Sequence, residues 1–212
     1  MIVLSGTIGA GKTSLTTLLA EHLDAPAFYE SVDDNKILPL FYQDPKKYAF
    51  LLQIYFLNKR LDSIKEANQN KLSVMDRSIF EDSLLFHLNA DLGRSTDTEV
   101  EIYDSLLQNM LEPLPETDFQ KTPDLLIYIK VSFETMLKRI QKRGRSYEQI
   151  ENDQGLYQYY QELNQRYVKW YEDYDLSPKM VIDGDQFDFM LDDDAKQAVL
   201  AQVDEKLKEV LD

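Results

Sequence analysis

Eight residues near the start of the chain, Gly6-Thr7-Ile8-Gly9-Ala10-Gly11-Lys12-Thr13, fit the spacing G-x-x-x-x-G-K-[ST]. Each residue type has a use in holding a polyphosphate. Glycines let the backbone take conformations closed to other residues and come close to a ligand. Successive N–H groups then converge on phosphate oxygens at the positive end of the following helix. Lys12 adds a point charge for the β- and γ-phosphates, and the Thr13 hydroxyl suits Mg²⁺. The bland alternative is a flexible glycine-rich turn. Context argues against it, because Ile2-Val3-Leu4-Ser5 reads as a buried strand just before the loop and residues 14–23 read as a helix just after. A nucleoside triphosphate site is expected here.

Further candidates fall where apolar runs end in charge. Ala27-Phe28-Tyr29-Glu30 reads as a second strand closing on an acid. In an open parallel sheet ligands bind beyond the carboxyl ends of the strands, so Glu30 is expected on the same edge as the phosphate loop. Leu72-Ser73-Val74-Met75 reads as a third strand and runs straight into Asp76-Arg77-Ser78. There Asp76 suits Mg²⁺ and Arg77 an anion clamp, while Ser78 can cap the next helix.

Gln53 interrupts the apolar helix over residues 48–67, and Arg60 lies seven residues on, two turns along the same face. Gln53 is either a tolerated core amide or a donor and acceptor for a flat heterocycle. Tyr42 precedes this helix and either packs or presents its hydroxyl. Asp82 and Phe86 share a face at i and i+4 of a helix over 79–89.

One dense basic patch stands out in an acidic chain: Lys138-Arg139-Ile140-Gln141-Lys142-Arg143-Gly144-Arg145, followed by Ser146-Tyr147-Glu148. A run of cations is usually a solvated helix face. Ending at a glycine, this one reads as a phosphate-covering lid over about 139–148. The loop Asp183-Gly184-Asp185-Gln186-Phe187, after a fifth strand at 179–182, offers Asp185 and Phe187 as a resting place for an adenine.

The elements that must position these groups alternate strand and helix, with a nearly unbroken apolar fourth strand at 124–131. The fold expected is α/β: a five-stranded parallel sheet with helices on both faces, as one domain over residues 1–212. The 212 residues, 43% of them hydrophobic, suffice for such a core. With no cysteine there is no disulfide or thiolate metal site, which suits a reducing cytoplasm. The first strand begins at Met1, leaving no room for a leader, and no apolar run nears the ~20 residues of a membrane span. A net charge of −15 argues against a broad nucleic-acid footprint and for small ligands in a locally basic pocket.

A guanine-reading N-K-x-D is missing, which leaves a small P-loop kinase with an arginine-rich lid. The whole chain resembles the deoxynucleoside kinase family. The match rests on the loop Gly6–Thr13, Glu30, Tyr42, Gln53 with Arg60, Asp76-Arg77-Ser78, Asp82, Phe86, and Arg139-x-x-x-Arg143-Gly-Arg145 with Glu148. The resemblance implies roles. Glu30 would be the base for the nucleoside 5′-hydroxyl, and Arg77 would hold that carboxylate and the reacting oxygen. Gln53 would read the base edge, Arg60 and Asp82 would contact the base, and Phe86 would stack on it. Tyr42 and Glu148 would hold the sugar 3′-hydroxyl, and Arg139, Arg143 and Arg145 would neutralise the moving phosphoryl group. Asp76 stands where many relatives have glutamate. Leu52 and Asn35 stand where relatives often have bulky aromatics, which suggests room for a purine.

The mechanism also follows without the family. A loose phosphoryl-transfer transition state needs positioning and charge stabilisation, and a neutral hydroxyl acceptor needs a base such as Glu30. A monophosphate acceptor would be repelled there. The reading is an ATP- and Mg²⁺-dependent 5′-kinase of deoxyadenosine, deoxyguanosine or deoxycytidine. The resemblance adds a homodimer and feedback by a deoxynucleoside triphosphate. Two other readings stay open: a thymidylate-type monophosphate kinase and a nucleotide sensor without turnover.

Overall fold

Five parallel strands lie in the order β2-β3-β1-β4-β5. They are β1 (Ile2–Ser5), β2 (Ala27–Phe28), β3 (Val74–Asp76), β4 (Leu125–Lys130) and β5 (Lys179–Asp183). The computed structural model describes residues 1–30, 35–112, 119–151, 154–187 and 192–211. β1 lies centrally, paired with β3 through Ile2↔Val74 and with β4 through Ile2↔Leu125. The chain leaves β1 to opposite sides, so a crevice opens at its carboxyl end, where ligands of open parallel sheets bind. The phosphate loop begins there.

Side chains alternate across the sheet. Val3, Met75 and Leu126 face one core cluster, and Ile2, Leu4, Val74, Leu125 and Ile127 face another. The first is filled by α3 (Pro45–Ala67) and α5 (Asp97–Leu111), through Leu57, Ile64, Tyr103 and Leu107. The second takes α1 (Lys12–His22), α7 (Gln154–Asp173) and α8 (Asp193–Leu211), through Leu15, Leu19, Leu163, Tyr167, Val199 and Val203.

The helices differ from expectation mainly at their starts. α1 begins two residues early because Gly11, at φ 102°, turns the chain straight into it. α3 begins at Pro45, since the Asp44 side chain accepts from Lys47 N–H at 3.2 Å and caps it. α2 (Leu38–Gln43) was not anticipated; its six residues are too few for a periodic signal, and Asn35 Oδ1 caps it from Ile37 and Leu38 N–H. Instead of one helix over 79–89, a 3₁₀ turn (Ile79–Glu81) leads into α4 (Asp82–Asp91). α6 (Phe133–Arg143) ends at Gly144 in the left-handed region, φ 74°, and a second 3₁₀ turn, Ser146–Glu148, follows. The expected connection at 113–123 lies partly outside the described residues, as do residues 152–153 before α7.

Candidate active site

At the carboxyl edge of the sheet a cleft of about 1130 Å³ runs from the phosphate loop to the α2–α3 corner. Backbone geometry explains the loop's composition. Gly6 sits at φ 145°, and a Cβ there would stand 2.8 Å from the Ile129 carbonyl oxygen. Lys12 folds back over the loop, its Nζ donating to the Gly6 and Thr7 carbonyls at 2.9 and 3.0 Å. Burial, then the nearby Arg77 cation, lowers the Lys12 ammonium to about 8, against the pull of Asp76, Glu81 and Glu30.

Beside the loop stands a buried charge network. Arg77 Nε lies 2.8 Å from Glu30 Oε1, and Arg60 Nη2 donates to the same oxygen at 3.0 Å. Burial alone would raise the Glu30 carboxyl. Arg77, Arg60 and Lys12 overcome it and hold Glu30 at about 2, so it is ionised at any working pH. Arg60 also grips Asp82 with two bonds, Nε to Oδ2 at 3.3 Å and Nη2 to Oδ1 at 3.2 Å, and its Nη1 donates to the Asp76 carbonyl at 3.3 Å. Burial raises the Asp82 carboxyl against the pull of Arg60. Arg77 itself sits at φ 88°, a backbone conformation uncommon outside glycine and frequent at functional sites.

Thr13 Oγ1 donates to Asp76 Oδ2 at 2.5 Å, joining the start of α1 to the end of β3. A hydroxyl and a single carboxylate, both hard oxygen donors, fit Mg²⁺, which keeps waters and phosphate oxygens as its other ligands. Among the described residues no group of three or more His, Cys, Asp or Glu forms a protein-only metal cage.

The far half of the cleft is apolar, walled by Leu38, Phe41, Leu52, Phe56 and Leu85. Gln53 opens into it, 4% exposed, with its Oε1 lacking a partner among the described residues. Tyr42 packs against Tyr147 at 5.0 Å between ring centroids, next to Glu148. Burial raises the Tyr42 hydroxyl well above its usual range. Glu148 is 3% exposed and gathers two arginines of the basic run: Arg143 donates to Oε2 from Nε at 3.1 Å and from Nη2 at 2.5 Å, and Arg145 Nη1 donates to Oε1 at 3.5 Å. Arg139 instead ties the phosphate loop to the β5 edge, donating to Ala10 O at 2.8 Å and Gly184 O at 2.7 Å.

Most candidates named from sequence therefore converge on one cleft, with Ile8, Gly9, Gly11, Lys12, Thr13, Glu30, Asp76, Arg77, Asp185, Arg139, Arg143 and Arg145 lining it. Gly6, Thr7 and Ala10 of the phosphate loop do not line it, nor do Phe86, Phe187, Arg60, Asp82 and Asn35. Phe86 is fully buried, its ring 4.6 Å from Tyr103 and 6.0 Å from Phe50; Leu85 faces the cleft instead. Phe187 packs on the core. Arg60 and Asp82 lie behind Glu30, occupied with each other. Asn35 is spent on capping α2.

Sequence reasoning missed Glu81, Tyr159 and Tyr167. Glu81 had a signal in Ser78-Ile79-Phe80-Glu81, the S-x-x-E spacing of a capping box, which this turn makes. Tyr159 lines the cleft from α7, and Tyr167 meets Arg77 from the same helix. Nothing local distinguishes either from the other tyrosines.

Known proteins resemble the chain in sequence and in fold. The family profile described as "Deoxynucleoside kinase" matches residues 2–208. A deoxyguanosine kinase of Lactobacillus acidophilus is 58% identical over 99% of this chain and 92% of its own length. A deoxyadenosine kinase of the same organism is 56% identical over 99% and 97%. The solved deoxyadenosine kinase from M. mycoides with bound dATP superposes with a TM-score of 0.78 at 30% identity, covering 96% of this chain and 98% of that one. The chain belongs to the deoxynucleoside kinase family.

Proposed function

We propose that this kinase transfers the γ-phosphoryl group of ATP to the 5′-hydroxyl of a purine deoxynucleoside, deoxyguanosine or deoxyadenosine, with deoxycytidine a further acceptor. The observation that carries the reading is Glu30, a carboxylate held ionised by Arg77 and Arg60 beside the phosphate loop. It offers a proton acceptor to a neutral hydroxyl and would repel a monophosphate. The apolar walls suit a flat heterocycle, the unpaired Gln53 Oε1 suits a donor on the base edge, and Leu52 leaves room for a purine. The Lactobacillus relatives supply the purine preference.

In the proposed mechanism the loop N–H groups and Lys12 hold the donor phosphates. Thr13 and Asp76 would hold Mg²⁺, which would supply positive charge to offset that of the donor phosphates. Tyr42 and Glu148 hold the sugar 3′-hydroxyl. Glu30 takes the 5′-hydroxyl proton, and Arg77 keeps the carboxylate and the attacking oxygen aligned. Arg139, Arg143 and Arg145 close over the transferring group as the lid of a single domain and spread its charge. Asp185 borders the adenine end of the donor.

The reading extends to a homodimer through the helices after β3, where Ile102 on α5 is 53% exposed. It also includes a deoxynucleoside triphosphate occupying both halves of the cleft as an inhibitor, and a cytoplasmic location. No helix among the described residues is long and apolar enough to cross a membrane.

The test is transfer from ATP with Mg²⁺ to the four deoxynucleosides and their four monophosphates in parallel. Product is expected from deoxyguanosine or deoxyadenosine. Product from monophosphates alone would move the chain to the thymidylate type, and ATP left intact by every acceptor would favour a sensor.

A further inference from the structure

Beside Arg77 stands a buried carboxylate that the mechanism above does not use. Glu81 is fully buried, and both of its oxygens accept hydrogen bonds: Oε1 from Ser78 N–H at 3.0 Å and Oε2 from Gly6 N–H at 3.4 Å. The first bond closes a capping box, for which glutamine would serve as well. The second reaches 75 residues back along the chain to the first glycine of the phosphate loop. With an N–H aimed at each oxygen, the site favours the acceptor-only carboxylate over an amide. A buried charge is costly unless paired, and its neighbour is Arg77, whose Nη1 lies 3.6 Å from Oε1.

The same Arg77 nitrogen has a second partner. Its Nη1 donates to the Tyr167 hydroxyl at 2.6 Å. Tyr167 is fully buried on α7, its ring parallel to that of Tyr128 at 6.4 Å between centroids. Seven residues earlier on the same helix face, Tyr160 donates to the Glu148 carbonyl at 3.0 Å, so α7 touches both Arg77 and the lid turn. Arg77 needs such support, because a non-glycine residue at φ 88° persists only where its surroundings over-determine it.

We propose that Glu81 and Tyr167 are positioning residues for phosphoryl transfer, fixing the Arg77 guanidinium, and through it the Glu30 carboxylate, relative to the phosphate loop. The line of contacts runs from Gly6 N–H to Glu81, from Glu81 to Arg77, and from Arg77 to Glu30, at 3.4, 3.6 and 2.8 Å. One end holds the donor phosphates and the other takes the acceptor's proton. The line therefore sets the distance between donor and acceptor, on which the transfer rate depends steeply. Neither residue touches substrate. The proposal rests on the kinase reading above.

Two variants test it. Tyr167→Phe removes one hydroxyl and keeps the ring packing. Glu81→Gln keeps one acceptor and removes the charge. For Tyr167→Phe, kcat falls about tenfold while KM for ATP and for the deoxynucleoside stays within about twofold. For Glu81→Gln, kcat falls further, by about 30-fold or more, and KM for ATP rises because the loop loses an anchor. Hydrogen exchange of the Arg77 guanidinium N–H groups, read by ¹⁵N NMR, becomes faster in Tyr167→Phe without reference to turnover. Should Glu81→Gln fail to fold, Tyr167→Phe still decides. A Tyr167→Phe protein with parental kcat and parental Arg77 exchange overturns the proposal, even if its melting temperature drops. The unsubstituted enzyme in the same assay separates the two readings. If it phosphorylates no deoxynucleoside, the function is wrong, and the exchange rates alone then decide whether Tyr167 and Glu81 hold Arg77.

Discussion

Arg60 Nη2 donates to Glu30 Oε1 at 3.0 Å and, from the same nitrogen, to Asp82 Oδ1 at 3.2 Å. The carboxylate proposed as the base and the acid expected to read the nucleobase thus share one guanidinium. Arg60 and Asp82 are both almost fully buried, with side-chain exposures of 5% and 1%. Their first effect is on the placement of Glu30.

Removing Asp82 leaves the buried Arg60 with only the Glu30 carboxylate, which Arg77 already pairs. Asp82→Ala is expected to cost about 3–5 kcal/mol of folding stability. The double variant Arg60→Met with Asp82→Ala should lose less than the two single losses added, because no uncompensated charge remains. Chemical denaturation of the parent and three variants measures this. In the double variant the ratios of kcat/KM among deoxyguanosine, deoxyadenosine and deoxycytidine should shift. Unchanged ratios would remove the pair from base selection.

Lys12 gives a pH signature. In the free protein burial and Arg77 lower its ammonium to about 8, so it loses its proton as pH rises through that value. Bound phosphates favour the charged form and raise the pKa again. Binding of ATP should therefore take up protons at pH 8.5–9, and affinity should fall as pH climbs past 8. Titration calorimetry in two buffers of different ionisation enthalpy reads the uptake directly. No uptake at those pH values would show that Lys12 is already fully charged in the free cleft.

Gly6 admits no side chain. At φ 145°, with a Cβ 2.8 Å from the Ile129 carbonyl oxygen, Gly6→Ala must move the loop off β4. Backbone strain of this kind costs on the order of 1–3 kcal/mol. ATP binding should be lost well before the fold is, which nucleotide-induced stabilisation in thermal melts would reveal. A variant that ATP stabilises as strongly as the parent would contradict this account of the loop.

The parts legible in the sequence are those written locally. The loop Gly6–Thr13, the apolar runs that lead into Glu30 and Asp76-Arg77, and the basic run closed by Gly144 each carry their meaning within a dozen residues. Helix phase was harder to read. Phe86 and Leu85 are neighbours on α4, and only packing against Tyr103 and Phe50 decides that Leu85 faces the cleft. The contacts around Arg77 were hidden for another reason. Tyr167 lies 90 residues from Arg77, among 13 tyrosines with nothing local to mark it. Such pairings exist only once the fold has brought α7 to the residue that follows β3.

The central claim is that Glu30 takes the proton of a neutral 5′-hydroxyl. The most direct measurement is single-turnover transfer from ATP to deoxyguanosine or deoxyadenosine by the parent and by Glu30→Gln, with nucleoside affinity measured alongside. The account predicts that Glu30→Gln lowers the transfer rate by about 10²-fold or more while binding the nucleoside within about threefold of the parent. A Glu30→Gln enzyme that transfers phosphate at the parental rate would contradict it.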